Sequence, residues 1–254
     1  YAFGNCYSLH NVDIPNGVTH IGVGAFSNCT SLKPVVFSGD LLEEIDQYAF
    51  QMCTSLTSID LPDSVKLIRR NAFEGCTALT QIVIPNMFTV SEEDAPYVKT
   101  PTAAIPGYMF ANTGIVNAVV PANITDISAT GVFMGCKQLK SIEFLAPKLD
   151  CWNIGSRYFQ NCTAIEEITI PYGTEMPFVC MDRDGGYILA GCTSLKKVTF
   201  EGSACTLGSA AFIHCSALEN ITLPSGLTQI PNEAFFDCTS LKSISIPSGV
   251  TLIG

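Results

Sequence analysis

The sequence predicts a β-rich α/β solenoid of about ten coils, with one long parallel sheet and short helical or turn segments closing each coil. Three observations carry the prediction. The stretch Ala49-Phe50-Gln51-Met52-Cys53-Thr54-Ser55-Leu56-Thr57-Ser58-Ile59-Asp60-Leu61-Pro62 recurs in near copies from end to end. Its anchors, at 3, 26, 50, 73, 110, 133, 159, 189, 212 and 235, are separated by 23, 24, 23, 37, 23, 26, 30, 23 and 23 residues. A period near 23 is that of a stacked repeat. Hydrophobic residues make up 47% of the 254 and charged residues 14%, enough for a continuous core and too apolar for disorder.

Each unit divides into three parts. The first is a strand, clearest in Leu241-Lys242-Ser243-Ile244-Ser245-Ile246-Pro247, whose alternation places Ile244 and Ile246 inward and Ser243 and Ser245 outward. Pro ends it, having no N–H to give to a ladder. The same register assigns outward pairs from Asn11/Asp13 through Ser141/Glu143 to Ser243/Ser245, mostly small, polar or β-branched and none aromatic. The second part returns through Val250-Thr251-Leu252-Ile253-Gly254, matched by Val18-Thr19-His20-Ile21-Gly22. The third is Ala-Phe-x-x-Cys, a short helical or turn segment whose aromatic ring plugs the core. Phe3, Phe26, Phe50, Phe73, Phe110, Phe133, Phe159, Phe212 and Phe235 form that file. Leu189 stands in the Phe slot of one unit and Thr113 in the Cys slot of another. No unit can bury its apolar face alone, so the stack is the smallest stable structure.

Nine of the twelve cysteines occupy one slot per unit: Cys6, Cys29, Cys53, Cys76, Cys136, Cys162, Cys192, Cys215 and Cys238. Such a ladder reads as a file of small buried hydrophobes. Neighbouring coils about 4.8 Å apart hold the slots farther apart than the Cβ separation of about 3.8 Å that a disulfide prefers. Cys151, Cys180 and Cys205 lie off the ladder and are the better candidates for a bridge or a reactive thiol.

The pattern Ala-Phe-x-x-Cys-[Thr/Ser]-[Ser/Ala]-Leu-x-x-Ile-x-Ile-Pro-x-x-Val-x-x-Ile-Gly resembles the BspA-type leucine-rich repeats over essentially the whole chain. The resemblance implies a right-handed leucine-rich-repeat superhelix, curved, and found on secreted or cell-surface proteins, mostly of gut and oral bacteria. Some relatives are implicated in adhesion to host matrix proteins or to other cells. The resemblance brings no catalytic motif, and it carries the fold rather than the partner, since fold does not fix function.

The chain opens inside a unit, at Tyr1-Ala2-Phe3, and stops after Ile253-Gly254, where another Ala-Phe is due. One therefore expects residues 1–254 to be a single solenoid domain, a fragment of a longer chain whose export signal and anchor lie outside it. Net charge of −10 and a pI near 4.6 argue against nucleic acid and anionic lipid as partners. No apolar run is long enough to span a bilayer, so no membrane insertion is expected of these residues.

Departures from the repeat single out the middle of the chain. The interval from Pro85 to Phe110 is 14 residues longer than the regular one from Pro15 to Phe26, an insertion falling within 86–106 and carrying Ser91-Glu92-Glu93-Asp94-Ala95-Pro96-Tyr97. A second insertion, within 172–189, adds 7 residues and contains Met181-Asp182-Arg183-Asp184-Gly185-Gly186-Tyr187. A third unit gains three residues around 145–150. Insertions in solenoids map to loops, where binding surfaces concentrate, although surface loops also tolerate length change at small cost. The lone tryptophan, Trp152, takes the polar slot held by Thr19, and Tyr97, Tyr158, Tyr172, Phe178 and Tyr187 lie in or beside the overlong units. Tyr and Trp are frequent interface hot spots, so these six are the candidate ligand-binding residues. Packing of the inserted loops is the competing explanation.

Chemistry is otherwise sparse. His10, His20 and His214 come without the converging ligands a zinc site requires. Asp182-x-Asp184-Gly185 matches part of a calcium loop but lacks its further acids and closing Glu, and a turn at Gly185-Gly186 explains it better. No nucleophile elbow, phosphate loop or dinucleotide fingerprint occurs. The expected role is therefore a non-catalytic domain, without cofactor or metal, that binds an extracellular protein or glycan, host matrix included, on the surface of or secreted from a bacterium. The alternative is a structural spacer presenting another domain of the same chain.

Overall fold

The structure, a computed structural model, describes residues 1–84, 104–124, 129–146, 157–170, 178–179, 186–202 and 205–254. The chain winds as a parallel β-solenoid of about eight turns. Its short strands fall into two files. The first holds β1 (Asp13–Ile14), β3 (Val36–Phe37), β6 (Asn117–Val120), β7 (Ser141–Phe144), β8 (Glu167–Ile170), β10 (Lys197–Phe200), β12 (Asn220–Thr222) and β14 (Ser243–Ser245). The second holds β2 (His20–Ile21), β4 (Glu44–Ile45), β5 (Leu67–Ile68), β9 (Phe178–Val179), β11 (Cys205–Thr206), β13 (Gln229–Ile230) and β15 (Leu252–Ile253). Every pairing is parallel and joins equivalent residues of neighbouring coils, as in Ile168↔Val198 and Ile21↔Ile45↔Ile68.

Pro closes the first file in the way its chemistry requires. Lacking an N–H, it cannot extend the ladder, and its carbonyl instead accepts a turn-closing bond from the residue three ahead. Val18 to Pro15 (3.0 Å), Val65 to Pro62 (3.1 Å), Leu227 to Pro224 (3.1 Å) and Val250 to Pro247 (3.0 Å) repeat that turn. The chain then enters the second file and turns again into the Ala-Phe segment.

That segment contains no helix, which corrects the helical half of the expectation: among the described residues there is no helical element. The residue two before the anchor and the residue two after it both sit at positive φ. Tyr48 (59°) and Met52 (59°) bracket Phe50, and Arg157 (58°) and Asn161 (61°) bracket Phe159. Left-handed residues at this spacing break any right-handed helix and leave a series of tight turns. The amide of each anchor points instead at the next coil: Phe26 N–H donates to the Ala49 carbonyl (2.8 Å), and Phe50 N–H to that of Ala72 (2.9 Å). Two residues on, Asn28 donates to Gln51 (2.7 Å) and Met52 to Glu74 (2.7 Å). The turns thus form a third hydrogen-bonded file beside the two strand files.

Inside this tier the aromatic rings stack. Phe3–Phe26, Phe26–Phe50, Phe50–Phe73, Phe73–Phe110 and Phe110–Phe133 have centroids 5.3, 5.4, 5.7, 6.2 and 5.5 Å apart, with planes within 22°. Offset parallel stacking is a favoured aromatic geometry. The 37-residue step from Phe73 to Phe110 leaves the two rings parallel to 9°. Leu189, fully buried, fills the ring's place in its own coil.

Three further expectations need correction. The sheet is not one continuous ladder: the pairings make seven sheets of two or three strands among the described residues. The described strands are all only two to four residues long, and Pro34, without an N–H, delays β3 to Val36. The turn count is about eight rather than ten, because anchors also mark incomplete end coils. Phe3 is 50% exposed and Phe235 only half-buried. For the same reason Ile246, expected inward, is 47% exposed, having a neighbouring coil on one side only. The outward pairs lie at the surface in every unit, with Ser58 alone half-buried.

Candidate functional site

The outward residues of the first strand file line up across coils. Lys197 stands opposite Glu167, Thr199 opposite Thr169, Asn220 opposite Ser243 and Thr222 opposite Ser245. Where β10, β12 and β14 lie side by side, this face is hollowed into a groove of about 530 Å³. The side chains of Lys197, Thr199, Asn220, Thr222, Ser243 and Ser245 line it, with Phe200, Gly202, Leu223 and Pro224 completing the wall. Hydroxyl and amide groups both donate and accept, and Ser243 Oγ already donates to Asn220 Oδ1 at 3.4 Å. The Lys197 ammonium lies 3.7 Å from Glu167 Oε2, so its charge is locally offset. A floor of this kind suits a neutral, hydrogen-bonding ligand. The outward pairs hold no aromatic residue, so the sequence points first to the overlong units. The signal for this face in the sequence is the run of hydroxyls at one outward position, Thr169, Thr199, Thr222 and Ser245.

The six candidate binding residues do not converge as a set. Tyr97, Trp152 and Tyr172 lie outside the described residues, as do Cys151, Cys180 and the Asp182–Asp184 motif. Phe178 lies in β9, in register with Cys205 of β11. Tyr158 is fully buried and offers no surface for a ligand, which corrects its assignment. It occupies the slot that holds Ala25, Ala49, Ala72, Ala211 or Ala234 in regular units, and its ring packs 5.8 Å from Phe133 and 4.8 Å from Phe159. Met109, Val132 and Ile188 enlarge the same slot in the other central units, all buried. The slot itself was the legible signal. Tyr187 is half-buried, and the Arg157 guanidinium lies 5.9 Å above its ring, a cation–π contact between neighbouring coils.

An ionic cluster crosses β2, β4 and β5. His20 Nδ1 is 3.2 Å from Glu44 Oε2 and His20 Nε2 is 3.6 Å from Asp46 Oδ2. Arg69 Nε reaches Glu44 Oε1 at 2.7 Å and Asp46 Oδ1 at 3.5 Å. The carboxylates thus lie between the His20 ring and the Arg69 guanidinium, an arrangement that clamps three coils together. No group of three or more His, Cys, Asp and Glu among the described residues is arranged to hold a metal ion.

The ladder cysteines are free thiols, buried except for Cys6. Each buried one donates across the coil boundary to the carbonyl of the preceding anchor: Cys53 to Phe26 (3.1 Å), Cys76 to Phe50 (3.1 Å), Cys215 to Leu189 (3.1 Å). Burial pushes the thiol of Cys53 up to about 12 and that of Cys136 to about 11. Such thiols stay protonated at neutral pH and are unsuited to nucleophilic or metal-binding roles.

Comparison with known proteins follows the repeat. The sequence profile of the BspA type leucine rich repeat region matches residues 1–97, 102–176 and 185–254, in six copies. No curated protein sequence matches the chain. A solved leucine-rich repeat protein from Bacteroides ovatus is 22% identical with a TM-score of 0.59, the match covering 96% of this chain and 71% of that one. A leucine rich cell surface protein from Faecalibacterium prausnitzii is 27% identical with a TM-score of 0.54, covering 98% and 62%. The pneumococcal vaccine antigen PcpA is 21% identical with a TM-score of 0.62, covering 96% and 58%. The chain spans less than two thirds of the last two, and at 21–22% identity the likeness concerns the fold alone.

Proposed function

The chain belongs to the BspA-type leucine-rich repeat family, and on that premise we propose that it is a non-catalytic binding domain of a bacterial cell-surface or secreted protein. It contacts an extracellular protein or glycan. The observation that carries this reading is the groove of about 530 Å³ on the outward face of β10, β12 and β14, lined by hydroxyl and amide side chains on a rigid scaffold. The cell-surface description of the Faecalibacterium prausnitzii protein favours an extracellular setting. Aromatic residues of the overlong units, Tyr97, Trp152, Tyr172, Phe178 and Tyr187, supply a second contact region in the same reading.

The test is binding of the immobilised chain to a panel of matrix proteins, mucins and glycans, beside a Thr222→Trp variant that fills the groove from an exposed position of β12. A Tyr97/Trp152/Tyr187 triple alanine variant probes the overlong units. Binding by the wild type and its loss in Thr222→Trp is the expected result. Loss only in the triple variant moves the contact to the loops. Silence across the panel favours the spacer, a domain that presents another part of the same chain.

A further inference from the structure

The groove over β10, β12 and β14 coincides with a break in the sheet ladder. β8 pairs with β10 and β12 with β14, but no backbone hydrogen bond joins β10 to β12 among the described residues. The turns of the same two coils stay joined: Leu189 N–H donates to the Ala211 carbonyl (3.0 Å) and Gly191 N–H to that of Ile213 (2.8 Å). The coils thus keep their register without the ladder. Val198 and Ile221 line the groove although their side chains belong to the core, 5% and 7% exposed, so it is their main chain that the groove meets. Peptide N–H and C=O groups without a backbone partner must be satisfied by solvent or by a ligand.

Above this seam the side chains form a grid. The 23-residue step from β10 to β12 and from β12 to β14 sets Lys197, Asn220 and Ser243 in one row and Thr199, Thr222 and Ser245 in the other. Neighbouring strands lie about 4.8 Å apart, and the anchor rings of the last two coils, Phe212 and Phe235, are 5.2 Å apart. All but Lys197 carry a hydroxyl or an amide, and the Lys197 charge is offset by Glu167 at 3.7 Å. The residues just before the first row repeat that balance: Lys196 pairs with Glu166 (2.8 Å) and Lys242 with Glu219 (2.6 Å). The grid itself thus holds neither an unbalanced charge nor an aromatic side chain.

We propose that the groove binds a neutral, linear, β-1,4-linked glycan lying across the strands, one sugar to a coil. The inference rests on the reading of the groove as a binding site and names the ligand of that site. In such an extended chain each pyranose advances the polymer by a length close to the coil step, so its hydroxyls recur in phase with the grid. Thr, Ser and Asn side chains both donate and accept, as sugar hydroxyls do. The unpaired peptide groups at the seam add partners for the sugar above them. Protein interfaces draw their affinity from aromatic and arginine anchors, and the grid has neither. Glu167 sets specificity: by offsetting Lys197 it removes the charge that would attract an acidic polysaccharide.

The experiment titrates the isotope-labelled 254-residue chain with cellohexaose and xylohexaose by NMR, with maltohexaose as the α-linked probe and polygalacturonate as the acidic one. Variants are Thr199→Val and Thr222→Val, which delete a hydroxyl at constant shape, Glu167→Gln, and Thr222→Trp. Melting curves establish that each variant is folded. A β-linked hexasaccharide is expected to bind and to shift the amides of β10 and β12 rather than those of the turn segments. Each Val variant should weaken it about fivefold, and Thr222→Trp should abolish it. Glu167→Gln should raise the affinity for polygalacturonate about threefold. The proposal is overturned if no β-linked hexasaccharide binds, if maltohexaose or polygalacturonate binds the wild type as tightly, or if folded Val variants bind like the wild type. Loss of a protein ligand in Thr222→Trp, with no oligosaccharide bound by the wild type, overturns it while the groove reading stands. If nothing bound by the wild type is lost in Thr222→Trp, the groove reading falls with it.

Discussion

Cys76 donates its thiol hydrogen to the carbonyl of Phe50, 3.1 Å away in the preceding coil. The same carbonyl accepts the amide of Cys53 in its own coil at 3.2 Å, so one oxygen joins two coils. The bond recurs from Cys29, which reaches Phe3 at 3.2 Å, to Cys238, which reaches Phe212 at 3.1 Å. Thr113 breaks the series. Its hydroxyl turns back to Phe110 of its own coil (2.8 Å) and meets Cys136 Sγ at 3.2 Å. A thiol in this slot therefore packs like a methyl group and also ties neighbouring coils together.

Replacing Cys76 by Ala removes that bond and leaves a small void. The expected loss is about 1–2 kcal/mol, read as a lower denaturation midpoint at unchanged slope. A midpoint equal to the wild type would reduce the thiol to a space filler.

The raised thiol values carry a pH dependence. A thiol whose folded value exceeds its unfolded value of 9.0 stabilises the fold while protonated in both states, and loses that contribution as pH climbs through the folded value. For Cys53 and Cys192 the window runs from about 9 to about 12. Stability should therefore fall steeply on alkaline titration above pH 9, with thiol alkylation following unfolding rather than preceding it. Alkylation of the native protein at the buried sites at pH 8 would contradict the burial.

Gly131, at φ 63°, is the floor beneath the Tyr108 ring. Gly131→Ala strains the backbone and displaces the ring, at a cost of about 1–2 kcal/mol. Gly17→Ala meets nothing within 4 Å and should be neutral. Equal melting temperatures for the two variants would contradict the packing described.

Arg69, with 18% of its side chain exposed, pairs with Glu44 and Asp46. Arg69→Ala leaves two partly buried carboxylates short of a partner and should cost about 1–3 kcal/mol. Lys242, paired with Glu219 in full contact with water, should be replaceable by Ala with no measurable change. Urea titration of both variants at low and high salt checks the contrast.

The sequence was most informative where the repeat is regular. Strand, Pro turn and anchor were legible because each recurs at fixed spacing and its alternation matches a strand. The turn conformation of Ala-Phe-x-x-Cys was not, since its left-handed positions hold Met52, Tyr48 or His214 as readily as Gly75. Only glycine or asparagine there signals positive φ. Tyr158 misled because its aromatic character outweighed its slot, which is buried in regular units. The cluster of His20, Glu44, Asp46 and Arg69 is assembled by coil register across 24 to 49 residues of sequence. No local window reveals it.

Amide hydrogen exchange in Phe50→Ala tests the stacked-anchor spine most directly. Removing this fully buried ring should cost about 3–5 kcal/mol. Protection is expected to fall first at the amides of Phe26, Phe50 and Phe73, which bridge the adjoining coils, while that of Phe212, far along the stack, changes least. Uniform loss across all coils would mean that the solenoid unfolds as one unit rather than coil by coil. An unchanged melting temperature with unchanged protection would contradict the spine itself.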